Sequence, residues 1–276
     1  AFESMIMRIT PYTIEGVLWY QGEEDEPYCE SYRELLGLMI AEWRGLWHRA
    51  DLPFLLVQLP QWIDRKVDES TGDPMLWPTI RAAQWDAAHS IDGVHAVCLM
   101  DCGEYDNIHP TDKRTPGERL ADCALKHVYG HAEMPVDGPE LLDAQVIDGT
   151  HMRLRFTHAH DLRFDGTDPA SRRDADLRSR ENASATVREA AESGFEVASA
   201  DGVFHPVAAA ITDADAGNGT GNGTDDGIST VVLTVQDASQ SASKPTAVRY
   251  AWHSWCSAPL FNADGLPAAP FTRSLA

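Results

Sequence analysis

Residues 94–130, VHAVCLMDCGEYDNIHPTDKRTPGERLADCALKHVYG, place a short apolar run, a polar loop and an amphipathic stretch in that order. The run from Val94 to Met100 is apolar throughout, as strands covered on both faces are. The stretch after the loop is punctuated as a helix: Thr115 and Glu118 form a capping-box pair, Pro116 takes the first helical position, and Gly130 follows the last turn. Strand, loop and helix in this order build an α/β layer, and the same elements recur upstream. GVLWY from Gly16 and FLLVQL from Phe54 read as two further buried strands. Between them Tyr32, Leu35, Leu36, Met39, Ile40, Trp43, Leu46 and Trp47 form one apolar stripe at helical spacing. A second helix is expected from Thr79 to His89, after Pro78. The fold class is therefore α/β with a largely parallel sheet over residues 1–134.

Beyond Met134 the pattern changes. HMRLRFTH from His151, GFEVAS from Gly194, STVVLTVQD from Ser229 and AVRYAWHS from Ala247 alternate apolar and polar residues between Asp, Gly and Asn clusters. Residues 135–276 are expected to form a smaller, antiparallel, sandwich-like β domain. Two excursions, near 168–182 and 217–227, carry too little apolar surface to offset the entropy of ordering them, and are expected as mobile loops.

The chain has 276 residues, 43 acidic against 22 basic, and a formal charge of -21. That balance repels phosphate backbones and anionic lipid, so neither nucleic acid nor a membrane is expected as a partner. No apolar run is long enough to span a bilayer. The five cysteines, Cys29, Cys98, Cys102, Cys123 and Cys256, are odd in number and scattered, and read as buried thiols in place of a disulfide framework. Localisation stays open, with the cytoplasm favoured by these thiols. Cys98 and Cys102 stand at a spacing a metal could use, but no second cysteine pair or Cys/His pair accompanies them, and no metal or other cofactor is expected.

Two motifs carry chemistry-bearing residues. In EYDNIHP, Asp106 and His109 stand three apart in the loop after the Val94 strand, and loops at the carboxyl ends of parallel strands are where ligands collect in open α/β sheets. A carboxylate on Nδ1 of an imidazole fixes its tautomer and leaves Nε2 to take and return a proton. The structural alternative is an Asx-turn at Asp106 with His109 closing a loop before Pro110. In WYQGEED, Gln21 can donate an amide N–H to a developing oxyanion, and Gly22 lets backbone approach a ligand. Glu23, Glu24 and Asp25 read as acidic residues leading into a helix N-terminus, with a supporting role open for Glu23. A paired-carboxylate glycosidase using Glu23 and Asp25 is a weaker reading.

Taken in order, WYQGE, YRELL, WRGLW, PFLLVQL, WPTIRAAQ, DNIHP with GERLA, and AVRYAW with GLPAAPF resemble segments of the sialate O-acetylesterase family, SGNH (GDSL-like) hydrolases that remove acetyl groups from sugars. The resemblance runs from about Met5 to Phe271. It implies an SGNH-hydrolase-like three-layer fold, with a sheet between helices on both faces, and an acyl-enzyme reaction on an O-acetylated sugar such as sialic acid without metal. It further implies His109 as general base, Asp106 as its orienting acid and Gln21 in the oxyanion hole. Glu23 and Arg81 are expected as an ion pair supporting the loops. Glu24 departs from the small residue expected there.

The family's serine block, GQSNM-like, lies upstream of WYQGE and has no counterpart here. Ser4 falls in FESMIMRITPY, which resembles a stretch downstream of that block. The expectation is a C-terminal part lacking the N-terminal strand and serine loop, inactive alone, with the serine upstream of this chain. A complementing N-terminal segment or a homo-oligomer is the corresponding partner. The alternative function is a non-catalytic carbohydrate-binding or structural module derived from such an esterase, with Trp252 and Trp255 stacking on sugar.

Overall fold

The computed structural model describes residues 2–165, 186–212, 227–235 and 244–275. From the N-terminus the elements are α1 (Met7–Ile9), β1 (Val17–Trp19), α2 (Cys29–Leu46), β2 (Phe54–Gln58), α3 (Arg65–Thr71), α4 (Leu76–Ser90), β3 (Val94–Cys98) and α5 (Arg114–His127). There follow β4 (Glu140–Val146), β5 (His151–Thr157), β6 (Arg163–Phe164), β7 (Val187–Arg188), β8 (Phe195–Ala198), β9 (Phe204–Pro206), β10 (Ala208–Thr212), β11 (Ser229–Thr234), β12 (Ala247–Tyr250), β13 (Leu260–Phe261) and β14 (Phe271–Ser274). The fold is mixed α/β with several sheets, and the chain divides into two compact units.

The first unit comprises residues 1–59, 76–99 and 111–136. Its sheet runs β1-β2-β3, parallel at both pairings. β2 is buried at every residue, including Gln58 at its end, as its apolar run from Phe54 to Val57 requires of a central strand. β1 departs from that expectation: it is an edge, and Leu18 is 61% exposed. α4 and α5 pack on β2 and β3, and α2 packs on α4. The α2 stripe is narrower than the sequence suggests, with Cys29, Tyr32, Leu36 and Ile40 buried and Leu35 in solvent. Trp43 fills the space between Trp19 of β1, at 5.7 Å between ring centroids, and Phe54 of β2, at 6.2 Å.

Two helix starts differ from the sequence reading. Pro78 lies inside the first turn of α4, where the missing N–H has no intrahelical partner to lose. At α5 the cap is Asp112, not Thr115: its carboxylate accepts from the backbone N–H of Arg114 at 3.0 Å and of Thr115 at 3.1 Å. Thr115 Oγ1 itself donates to Asp112, 2.7 Å away, and Glu118 pairs with Arg114 instead of reaching back to the cap. An aspartate three residues before the expected cap starts the helix earlier, because its carboxylate accepts from two N–H groups at once.

The second unit comprises residues 60–75, 100–110 and 137–276, so it takes in the segments after β2 and β3 as well as the C-terminal strands. That differs from a single boundary at residue 134. Its larger sheet runs β4-β5-β11-β10-β7 and a second runs β14-β12-β8-β9, all antiparallel, with β13-β6 as a short pair. In β5 the alternate residues Met152, Leu154 and Phe156 are wholly buried, the period-two pattern legible in HMRLRFT. Phe156, Phe195, Tyr250 and Phe271 stack into one aromatic cluster. The expected mobile loops, near 168–182 and 217–227, lie outside the described residues apart from Gly227.

Candidate active site

In the first unit, β1 ends at Trp19 and the chain turns through Gln21 and Gly22 into a tight helical turn over Glu23–Tyr28. Gly22 has φ 142°, and a Cβ there would meet Ile80 Cγ2 at 3.0 Å, Gln84 Nε2 at 3.1 Å and Leu59 Cδ1 at 3.3 Å. Only glycine fits both the backbone and the space. The Gln21 carbonyl accepts from Gln84 Nε2 at 2.9 Å and from the Tyr32 hydroxyl at 3.0 Å, so the turn is fastened to α2 and α4. One amide N–H of Gln21 donates to the Asp25 carboxylate, and the amide carries a second. Burial pushes the Tyr32 phenol up, against a hydrogen bond from Gln84.

Arg81, on α4, is wholly buried, and its carbonyl accepts from Gln58 Nε2 at 3.3 Å. Glu23 opens the turn after Gly22, where the backbone direction is set by the glycine.

In the second unit, residues 100–110 lie on the segment that follows β3. Gln61 is wholly buried, donates to the Met100 carbonyl at 3.0 Å and accepts from the Cys256 N–H at 2.7 Å, so one side chain ties together three stretches remote in sequence. Gly103 presses on the Gln61 backbone, where an added Cβ would be 2.1 Å from its carbonyl oxygen. The Asp106 N–H donates to the Ile63 carbonyl at 3.2 Å.

Asp106 has φ 61°, a left-handed conformation that aspartate tolerates better than most residues. Its carboxylate accepts from the Arg65 backbone N–H at 3.0 Å and pairs with Arg65 Nε at 3.2 Å. Arg65 lies over the Tyr105 ring at 5.6 Å, the Tyr105 hydroxyl donates to Asp68 at 2.8 Å, and Trp255 meets Tyr105 edge-on at 5.7 Å. His109 is exposed, and its backbone N–H donates to Asn107 Oδ1 at 3.1 Å. Asp106 and His109 thus share one loop, as their spacing implies, but no hydrogen bond joins the Asp106 carboxylate to the His109 ring.

A buried charge cluster in the same unit escaped the sequence reading. Glu196 of β8 accepts from Arg249 Nε at 2.7 Å and Nη2 at 3.0 Å, and meets His253 Nε2 at 2.9 Å. Asp73, after α3, lies 3.4 Å from His253 Nδ1 and accepts from the Ser254 N–H at 2.7 Å and hydroxyl at 2.6 Å. Burial would push both carboxylates up, but hydrogen bonds from His253 and Ser254 hold Asp73 at about 2, and those from His253 and Arg249 hold Glu196 at about 2. Hydrogen bonds to Asp73 and then Glu196 raise His253 to about 9. The cluster fixes the segment 64–75 against the turn after β12. Nothing in the local pattern of Asp73, Glu196, Arg249 and His253 shows that they meet; the cross-strand register Arg249↔Glu196 is the one signal a strand pairing would have provided.

Among the described residues no group of three or more His, Cys, Asp or Glu could hold a metal ion, and no helix is long and apolar enough to cross a membrane. All five cysteines are free thiols, four of them buried.

With this geometry in hand, the comparisons with known proteins define a class. Residues 1–126 match the family described as carbohydrate esterase, sialic acid-specific acetylesterase. A crystal structure of a carbohydrate acetylesterase from Xanthomonas citri superposes with a TM-score of 0.69 at 29% identity, covering 98% of this chain and 52% of that one. More narrowly, the chain is 27% identical over 150 residues to human sialate O-acetylesterase and 26% identical over 155 residues to the mouse protein. Those alignments cover 50% of this chain and 29% and 28% of the two relatives, so the chain spans under a third of the curated proteins it matches. The resemblance to sialate O-acetylesterases read from the sequence holds.

Proposed function

We propose that this chain supplies the acid–base side of a carbohydrate O-acetylesterase site, with His109 as general base and Asp106 as the acid that orients it. The observation that carries this reading is the loop after β3, which presents both residues near solvent at the carboxyl end of a parallel strand. His109 would take the proton of a serine hydroxyl as it attacks the acetyl carbonyl, then return it to the sugar oxygen as the ester breaks. Gln21, through its second amide N–H, and Gly22, through the close backbone approach it permits, would support the oxyanion, and Glu23 and Arg81 would stabilise that loop as an ion pair. The α/β unit is assigned to an SGNH-type layer on the same resemblance. The serine is proposed to come from outside residues 1–276, from a longer chain or a partner. The substrate class, an O-acetylated sugar of the sialic acid type, follows from the relatives.

Aryl acetate hydrolysis tests the reading. The 276-residue chain should turn over no faster than its His109→Ala variant, and a version carrying a serine-bearing segment of a relative should gain activity that His109→Ala removes. Activity in the complemented protein that survives His109→Ala would overturn it. Sugar binding without acetate release after complementation would favour a binding module.

A further inference from the structure

The Asp106 carboxylate is already spoken for. One oxygen accepts the Arg65 backbone N–H at 3.0 Å, and the other lies 3.2 Å from Arg65 Nε. The other carboxylates flanking this loop have partners of their own: Glu104 accepts from Asn107 Nδ2 at 2.6 Å and Asp68 from the Tyr105 hydroxyl at 2.8 Å. We propose that Arg65 is a positioning residue that withholds Asp106 from His109, so that the acid–base pair forms only when the guanidinium lets go. The proposal rests on the reading of His109 as base and Asp106 as its acid.

The physical basis is competition for one anion. A guanidinium offers several N–H donors in a fixed fork and outcompetes a neutral imidazole for a carboxylate. The pair is not locked in the interior, since the Arg65 side chain is 56% exposed and that of Asp106 38%. An exchange of partners is therefore cheap, as exposed ion pairs contribute little to stability. Without the guanidinium, one Asp106 oxygen would keep the backbone N–H of residue 65, and the other would be released toward a histidine three residues along the same loop. The Nδ1–H tautomer that such a contact favours is the one that leaves Nε2 to accept a proton.

Long-range proton–nitrogen NMR of the full chain, above the pH at which the imidazole is neutral, reads the His109 tautomer directly. The expected result is a wild-type ring mainly in the Nε2–H form and unaffected by Asp106→Asn. Arg65→Gln should switch the majority to Nδ1–H, the double variant should switch it back, and Arg65→Lys should resemble wild type. A wild-type ring already mainly Nδ1–H, and reverting with Asp106→Asn, would overturn the proposal while leaving the base reading intact. If Arg65→Gln leaves the tautomer as it is with Asp106→Asn, both the proposal and the role of Asp106 as orienting acid fall.

Discussion

Replacing Glu196 by Gln removes the anion on which two cations converge. Glu196, Arg249 and His253 have side chains 13%, 10% and 28% exposed, so Arg249 would lose both of its charge-assisted bonds in a largely desolvated place. Breaking a buried pair at one partner costs roughly 3–5 kcal/mol. Because His253 keeps Asp73 and the cluster retains some solvent contact, the cost here should be about 2–3 kcal/mol, a shift of roughly 1 M in the urea midpoint for a protein of this size. The pH dependence follows from the shifted groups. His253, raised to about 9, contributes fully below its ordinary value of about 6.5 and loses the contribution as pH rises through 9. Asp73 and Glu196, held at about 2, contribute above about pH 4 and lose it as pH falls through 2. The difference between wild type and Glu196→Gln should therefore be greatest between about pH 4.5 and 6.5 and about 1 kcal/mol smaller at pH 10. Urea unfolding followed by tryptophan fluorescence at pH 6 and pH 10 measures both. A cost under about 0.5 kcal/mol at pH 6, or one equal at the two pH values, would refute the assignment of this cluster as the fastening of segment 64–75.

The other predictions are simpler. Gly22→Ala should destabilise the first unit by about 2 kcal/mol, because φ 142° and contacts at 3.0–3.3 Å leave a Cβ no room; a calorimetric melt checks it. Gly103→Ala should displace the loop 100–110 from Gln61, seen as chemical-shift changes at Asp106 and His109, since backbone at 2.1 Å has to move. Asp112→Ala should cost about 1 kcal/mol through the lost α5 cap, with the expected capping-box variant Thr115→Ala costing less; chemical denaturation separates them. His109→Ala should leave the melting temperature within about 1 °C of wild type, as an exposed surface position, yet abolish aryl acetate turnover in the complemented protein.

Much of the fold was legible because it rests on local periodicity. The runs at 54–58 and 94–98 are apolar except at Gln58 and His95, and burial of a parallel strand between layers suits them. HMRLRFT alternates, and alternation on a strand puts one face in the core. Boundaries set by a single side chain were read less well: Asp112 outranks Thr115 at α5 because its carboxylate accepts the N–H groups of Arg114 and Thr115 and the Thr115 hydroxyl as well. The edge position of β1 was not legible, since an edge is defined by which strands pair.

For the candidate site, the sequence by itself determined which residue types lie in which loops: Asp106 and His109 three apart after one strand, Gln21 and Gly22 after another. Those are chain-local facts, fixed by spacing and by the habit of parallel strands to present loops at their carboxyl ends. Tertiary structure alone decided what each side chain touches. Arg65, forty-one positions from Asp106, takes its carboxylate, and Gln61 reaches Cys256 across 195 positions. Hydrogen bonds depend on atoms meeting within about 3 Å, and no periodicity in the chain encodes which remote segments the packing of β strands will bring that close.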